Sequence, residues 1–185
     1  MGLGNPGSRY ARTRHNAGAD TVALLAERHG AAMKRTPRQL ALVADVRHGG
    51  RRLVLAFPQT YMNDSGRSVT LLLRWHQVSD LGRLVVVHDE LDLPLGRVRV
   101  KVGGGLAGHN GLRSIRDHLH STDFLRVRIG IGKPPGGKQH GVDHVLRAPG
   151  AKERTELDVS IEEAADAVEC ILDEGVVAAQ NRFNG

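Results

Sequence analysis

The segment Leu84-Val85-Val86-Val87 is a continuous apolar run that passes directly into His88-Asp89-Glu90-Leu91-Asp92-Leu93-Pro94. A run without polar alternation fits a strand buried on both faces, as in a sheet covered by helices on each side. Open α/β sheets place their working groups beyond the carboxyl ends of such strands. Asp89 can there hold a histidine through one ring nitrogen and leave the other basic. His88, Asp89, Glu90 and Asp92 also raise a metal site, because they supply nitrogen and oxygen donors. Successive strand residues point to opposite faces, however, which keeps the four from converging. Asp92 equally reads as a turn residue.

The rest of the chain alternates in the same α/β sense. Helical spacing covers Asn16–His29, Ser65–Val78, Leu112–Leu119 and Glu153–Gly175, with a last turn over Val176–Phe183. Ser65 and Asn110 are candidate N-caps. Strands are expected at Leu40–Arg47 and Arg52–Phe57, joined through Gly49-Gly50, and at Phe124–Ile131. Arg97–Val102 alternates strictly, with Val98, Val100 and Val102 on one face and Arg97, Arg99 and Lys101 on the other. Lys133–Lys138, rich in proline and glycine, reads as a loop. At 185 residues, with no repeat and no linker, the chain is expected to be one domain over 1–185.

The first seven residues, Met1-Gly2-Leu3-Gly4-Asn5-Pro6-Gly7, match the spacing of a dinucleotide-binding glycine loop. Their context argues otherwise. Pro6 and Gly7 prevent an immediate helix start, and no acidic residue closes a second strand to hold a ribose. Only Met1 and Leu3 are available to form the strand that should precede such a loop. The expectation is a native start further upstream, with the first strand truncated and Asn5 less firmly held than His15.

Charge is unevenly spread. The net charge is +6, yet residues 151–185 carry nine acidic groups against three basic ones, leaving the first 150 residues at +12. A basic body suits a polyanionic partner, through release of counterions from phosphates. Six aromatic residues are too few for a platform of stacked bases. The single Cys170 precludes an intrachain disulfide and reads as helix packing in a reducing cytosol. No apolar stretch approaches the roughly 20 residues of a membrane-spanning helix.

Two further clusters carry chemistry. Phe57-Pro58-Gln59-Thr60-Tyr61-Met62-Asn63 ends a strand-to-helix connection, and Gly103-Gly104-Gly105-Leu106-Ala107-Gly108-His109-Asn110-Gly111 is a glycine-rich loop. With Asn5 and His15 they bring three asparagines and one histidine from separate loops. Neutral amides donate and accept hydrogen bonds and so can position a carbonyl and a water. A histidine can deprotonate that water near neutral pH. No nucleophile elbow surrounds Ser65, so hydrolysis of an already activated ester is the chemistry expected.

The motifs Gly2-Leu3-Gly4-Asn5-Pro6-Gly7, Thr13-Arg14-His15-Asn16-Ala17-Gly18, Pro58-Gln59-Thr60-Tyr61-Met62-Asn63, His88-Asp89-Glu90-Leu91-Asp92-Leu93-Pro94, Gly108-His109-Asn110-Gly111-Leu112 and Arg128-Ile129-Gly130-Ile131-Gly132 occur in this order along nearly the whole chain. Taken together they resemble the bacterial peptidyl-tRNA hydrolase family. The resemblance implies a twisted mixed β-sheet flanked by helices in a monomeric cytoplasmic esterase, without metal or cofactor, that frees tRNA from peptidyl-tRNA. It also implies His15 as catalytic base, Asp89 as the group holding it basic, and Asn5 as a residue that distinguishes blocked from free aminoacyl ends. By the same resemblance Tyr10, Tyr61, Asn63 and Asn110 contact substrate, while Lys101 and Arg128 grip a tRNA phosphate. Leu106 and Ala107 stand where the family usually carries histidine and glycine. The competing readings are a non-catalytic tRNA- or RNA-binding protein, its site disabled by truncation, and a metal-dependent phosphoesterase.

Overall fold

The computed structural model describes residues 1–137 and 140–185. Strands β1 (Lys34–Thr36), β2 (Ala41–His48) and β3 (Arg51–Pro58) form an antiparallel sheet. Strand β4 (Val85–Glu90) runs parallel to β6 (Leu125–Gly130), and β5 (Val98–Val102) pairs antiparallel on the other side of β6. The expected mixed sheet is therefore present, with His88, Asp89 and Glu90 inside β4 rather than beyond its end.

Residues 1–3 join the two sheets. The Gly2 N–H donates to Ala56 of β3, while Val87 of β4 donates to Met1 and accepts from Leu3. Gly2 and Val87 form a parallel bridge. The short segment thus occupies the central strand position, and Leu3 is fully buried.

Helices cover both faces. Val87, Val127, Val98 and Val100 pack with Leu25 of α1 (Ala17–Arg28) and Leu157 and Ala164 of α5 (Ala151–Glu174). On the opposite face Leu3, Val86 and Phe124 pack with Val69 of α2 (Ser65–Trp75) and Leu112 and Ile115 of α3 (Asn110–Leu119). Short α4 (Gly141–Leu146) and terminal α6 (Val176–Phe183) complete the layers. Beyond α6, Asn184 pairs with both backbone groups of Val100 at 2.8 and 2.9 Å, which closes part of the β5 edge.

Several local expectations change. Ser65 is the first residue of α2, and its hydroxyl donates to Met62 O, so it does not cap the helix. Asn110 is the first residue of α3; the cap is His109, whose ring accepts from Gly111 and Leu112. Strand β1, with the polar sequence Lys34-Arg35-Thr36, carries no apolar pattern to announce it. The expected loop at Lys133 contains a turn at Pro135-Gly136, and its last residue, Lys138, lies outside the described residues.

The acidic C-terminal helix does not present a free acidic face. Arg28 of α1 pairs with Glu162, Asp166 and Glu169, and Arg154 pairs with Asp20. The charge asymmetry along the sequence is partly compensated where α1 meets α5.

Candidate active site

Helix α1 lies unusually close to the sheet. A Cβ added at Gly18 would stand 2.1 Å from Val87 O and 2.8 Å from Leu3 N, so only glycine permits this backbone contact. The approach brings the single turn Arg14–Asn16, just before α1, against the end of β4. His15 Nδ1 lies 2.8 and 3.0 Å from the two carboxylate oxygens of Asp89. Both are buried, at 8% and 2% exposure. The carboxylate fixes the ring proton on Nδ1 and leaves Nε2 with a free lone pair, the arrangement of a general base.

His109 holds the same carboxylate from the other side. Its Nδ1 accepts from the backbone N–H groups of Gly111 and Leu112 at 3.1 and 3.3 Å. The ring proton therefore sits on Nε2, which lies 3.0 Å from Asp89 Oδ1. Burial pushes the Asp89 carboxyl up, but the two imidazoles of His15 and His109 and their hydrogen bonds outweigh it, and the group is held well below the usual carboxylate range. For His15, burial works against the cation; the Asp89 charge and hydrogen bond overcome it and hold the imidazole above its ordinary 6.5. His88, fully buried beneath His109, donates from Nδ1 to Asp89 O at 2.7 Å. Burial and the neighbouring His109 keep its pKa far below 6.5, so it is neutral.

Asn5 is firmly held. Its N–H donates to Asn16 Oδ1 and its carbonyl accepts from Asn16 Nδ2, both at 2.9 Å. Its side-chain oxygen accepts from Met62 N–H at 2.8 Å, which leaves the amide nitrogen as the donor for a ligand. The support comes from Asn16 and the β3–α2 connection, so the short first strand does not loosen it.

His15, Asp89, His109 and Asn110 line a cleft of about 270 Å³, closed on one side by Val142 and Val145 of α4. Asn63 is exposed on the turn that holds Asn5. Tyr10 and Tyr61 meet edge to face at 6.4 Å, with Tyr61 largely exposed. Ala107, also in the cleft wall, adopts φ +49, a left-handed conformation that costs an alanine about 1–2 kcal/mol relative to glycine.

Lys101 and Arg128 lie outside the cleft, on the sheet face that carries His88 and Glu90. Arg128 pairs with Glu90 at 3.2 Å. Between them Arg126, 1% exposed, donates from Nη1 to Gly105 O, while its Nε and Nη2 are buried without a partner among the described residues. Arg126 faces Lys101 across the β5–β6 register, and both reach Gly104. Burial and the charge of Arg128 lower the pKa of Arg126. Sequence alternation marks Lys101 but gives no sign that a buried arginine completes this basic cluster.

The four metal candidates, three at the end of β4 and Asp92 in the turn beyond it, diverge. Asp89 binds the two histidines, Glu90 binds Arg128 and the Asp92 N–H, and Asp92 faces Lys133 at 3.5 Å. His15, Asp89 and His109 do lie within 4.8 Å of one another. The ring nitrogens facing Asp89 carry protons, however, and freeing His109 Nε2 for a metal would uncap α3.

No local pattern in the sequence marks Arg14 as a site residue. It is 6% exposed, binds both oxygens of Glu153 at 2.5 Å, and donates to His144 O and Arg147 O. It thereby ties the turn that carries His15 to α4 and α5. Its partners lie about 130 residues away, beyond the reach of local pattern.

The peptidyl-tRNA hydrolase family profile matches residues 1–185. A peptidyl-tRNA hydrolase of Frankia alni is 50% identical over 184 residues, covering 100% of this chain and 92% of that one. One from Mycobacterium tuberculosis is 50% identical, covering 100% and 95%. The crystal structure of peptidyl-tRNA hydrolase from Acinetobacter baumannii superposes with a TM-score of 0.93 at 40% identity, covering 100% of this chain and 92% of that one.

Proposed function

The chain belongs to the peptidyl-tRNA hydrolase family and hydrolyses peptidyl-tRNA, and from that premise we propose that His15 is the general base of the reaction. The observation that carries this reading is the His15 Nδ1 contact with Asp89 at 2.8 Å. His15 Nε2 removes a proton from water as the oxygen attacks the ester carbonyl. Collapse of the tetrahedral intermediate breaks the bond to the terminal ribose oxygen, and that oxygen takes the proton from the His15 imidazolium, which returns to its neutral form. The products are a peptide acid and free tRNA. Asp89 stabilises the imidazolium formed on the way.

The free amide nitrogen of Asn5 and the exposed Asn110 and Asn63 bind the carbonyl and peptide groups of the substrate. Tyr10 and Tyr61 border the acyl end. Lys101 and Arg128, joined by Arg126, take a tRNA phosphate. No metal enters this scheme, because the protons on the two ring nitrogens facing Asp89 already satisfy the carboxylate. A single copy suffices, since the cleft and its histidines belong to one chain, and residues 1–185 act as one domain. Among the described residues no helix is long and apolar enough to cross a membrane. With one cysteine and a tRNA substrate, the cytoplasm is the fitting compartment.

The family match favours this reading over a non-catalytic RNA-binding protein. Replacement His15→Ala is the direct test, with an N-blocked aminoacyl-tRNA as substrate. Turnover should fall about 10²- to 10⁴-fold while tRNA binding persists. Activity above a tenth of the parent's would reject His15 as the base.

A further inference from the structure

A second group of histidines lies where α1, β2 and α5 meet, sharing no residue with the cleft. His29 follows the end of α1, His48 ends β2, and Glu169 and Asp173 lie one turn apart on α5. One donor atom from each of His29, His48 and Glu169 falls within 4.8 Å of the others. We propose that these residues bind a divalent transition ion of the zinc type, with Asp173 or water as fourth ligand.

Three features support the assignment. Among the described residues His29 Nε2 is buried and makes no hydrogen bond, yet lies 3.4 Å from Glu169 Oε1. That separation matches the roughly 3.4 Å between neighbouring ligand atoms on a tetrahedral ion with bonds of about 2.0–2.1 Å. Arg28 Nη1 holds the other carboxylate oxygen, Glu169 Oε2, at 2.9 Å. It therefore orients Oε1 toward His29, in the manner of an outer partner that aims a ligand. His48 Nε2 sits 2.8 Å from Asp173 Oδ1, and the two imidazoles meet edge to face with centroids 5.3 Å apart.

The donor set selects the metal. Two imidazoles with a carboxylate suit zinc and its neighbours, whereas calcium and magnesium prefer all-oxygen shells. Glu169, with Asp173 beside His48, offsets the charge of a divalent ion. Asp173, half exposed, gives the ion a path from solvent. Binding closes the remaining gaps between ligands and links residues 29, 48 and 169 through one centre. It should stabilise the fold without touching the catalytic group.

The test uses the full chain, stripped with chelator and titrated with zinc chloride by calorimetry, with cobalt as a spectroscopic substitute. The parent should bind one equivalent at this site, show tetrahedral cobalt absorption, and gain about 5–10 °C in Tm at zinc a hundredfold above Kd. His29→Ala with His48→Ala should weaken that site at least about 100-fold, beyond the effect of losing an outer partner alone. Glu169→Gln, which keeps the side-chain shape, should weaken it in the same direction. Both variants should retain parental hydrolysis in chelator, which establishes that they fold. His15→Ala with His109→Ala should leave this site intact. Equal zinc affinity in the parent and the His29/His48 variant would overturn the proposal. So would zinc binding that disappears only in the His15/His109 variant.

Discussion

His109 Nε2 lies 3.0 Å from Asp89 Oδ1, the oxygen that also faces His15 Nδ1 at 2.8 Å. One carboxylate is thus shared between a ring that lines the cleft and a ring whose other nitrogen caps α3. The cap fixes the His109 tautomer, and the tautomer makes His109 a donor to Asp89. The orientation of His15 therefore rests partly on the start of a helix from the far side of the sheet.

His109 is accordingly a positioning residue. His109→Ala removes one donor from a buried carboxylate, an interaction of about 1.5–3 kcal/mol. If that is felt in the transition state, kcat falls about 10- to 150-fold, with a smaller change in KM. Asp89 then acts more fully on His15, so the acidic limb of the pH–rate profile should move upward. A purely structural loss would lower active-enzyme concentration without moving the limb.

Asp89→Asn should move that limb the other way. In the parent, His15 is held above 6.5, so kcat/KM should rise with pH through a limb above that value. Without the carboxylate charge, burial dominates, and the limb should drop below 6.5 while the plateau falls about 10²- to 10⁴-fold. Stability follows with a defined sign. The raised His15 pKa contributes stability below 6.5 that is lost as pH rises through the folded value; the depressed Asp89 pKa contributes stability above 3.8 that is lost as pH falls. Urea unfolding should show the substitution costing more at pH 5 than at pH 8.

The sequence makes β4, β5 and β6 legible because their apolar patterns are set by burial on known faces. It also marks His15, Asp89 and Asn5, which fall in dense motifs. It gives no sign that Met1–Leu3 would serve as the central strand, since three residues carry no periodicity and their bonds go to β3 and β4. His109 is masked by its neighbour: a His-Asn pair after glycines suggests the asparagine as cap, whereas the imidazole accepts both N–H groups. Arg126 is hidden for a related reason. Its place in an apolar strand gives no hint that a guanidinium is buried there beside Lys101.

That basic cluster should govern the salt dependence of tRNA binding. Each phosphate contact steepens the plot of log affinity against log salt by about 0.7–0.9. Lys101→Ala should remove one such increment. Arg128→Ala should remove less, because part of its charge is already engaged by Glu90 at 3.2 Å. Filter-binding or anisotropy titrations across salt concentration would measure both slopes. Unchanged slopes in both variants would place the phosphate elsewhere.

Arg14 links chemistry to packing. Its guanidinium satisfies both oxygens of Glu153 and the carbonyls of His144 and Arg147. Truncation strands these acceptors around a nearly buried site, and Arg14→Ala should destabilise the protein by about 2–4 kcal/mol. Glu153 is partly exposed, so Glu153→Gln should cost less. Because the residues touch, a double-mutant cycle should show a coupling of about 0.5–3 kcal/mol. Helix α4 supplies Val142 and Val145 to the cleft, so loosening it should raise KM more than it lowers kcat. Lys cannot restore the bond pattern, since an ammonium lacks the planar fork that meets a carboxylate and two carbonyls together. Arg14→Lys should therefore recover less than half of the lost stability in urea melts. Parental stability in Arg14→Ala would show that the turn bearing His15 is held by α1 alone.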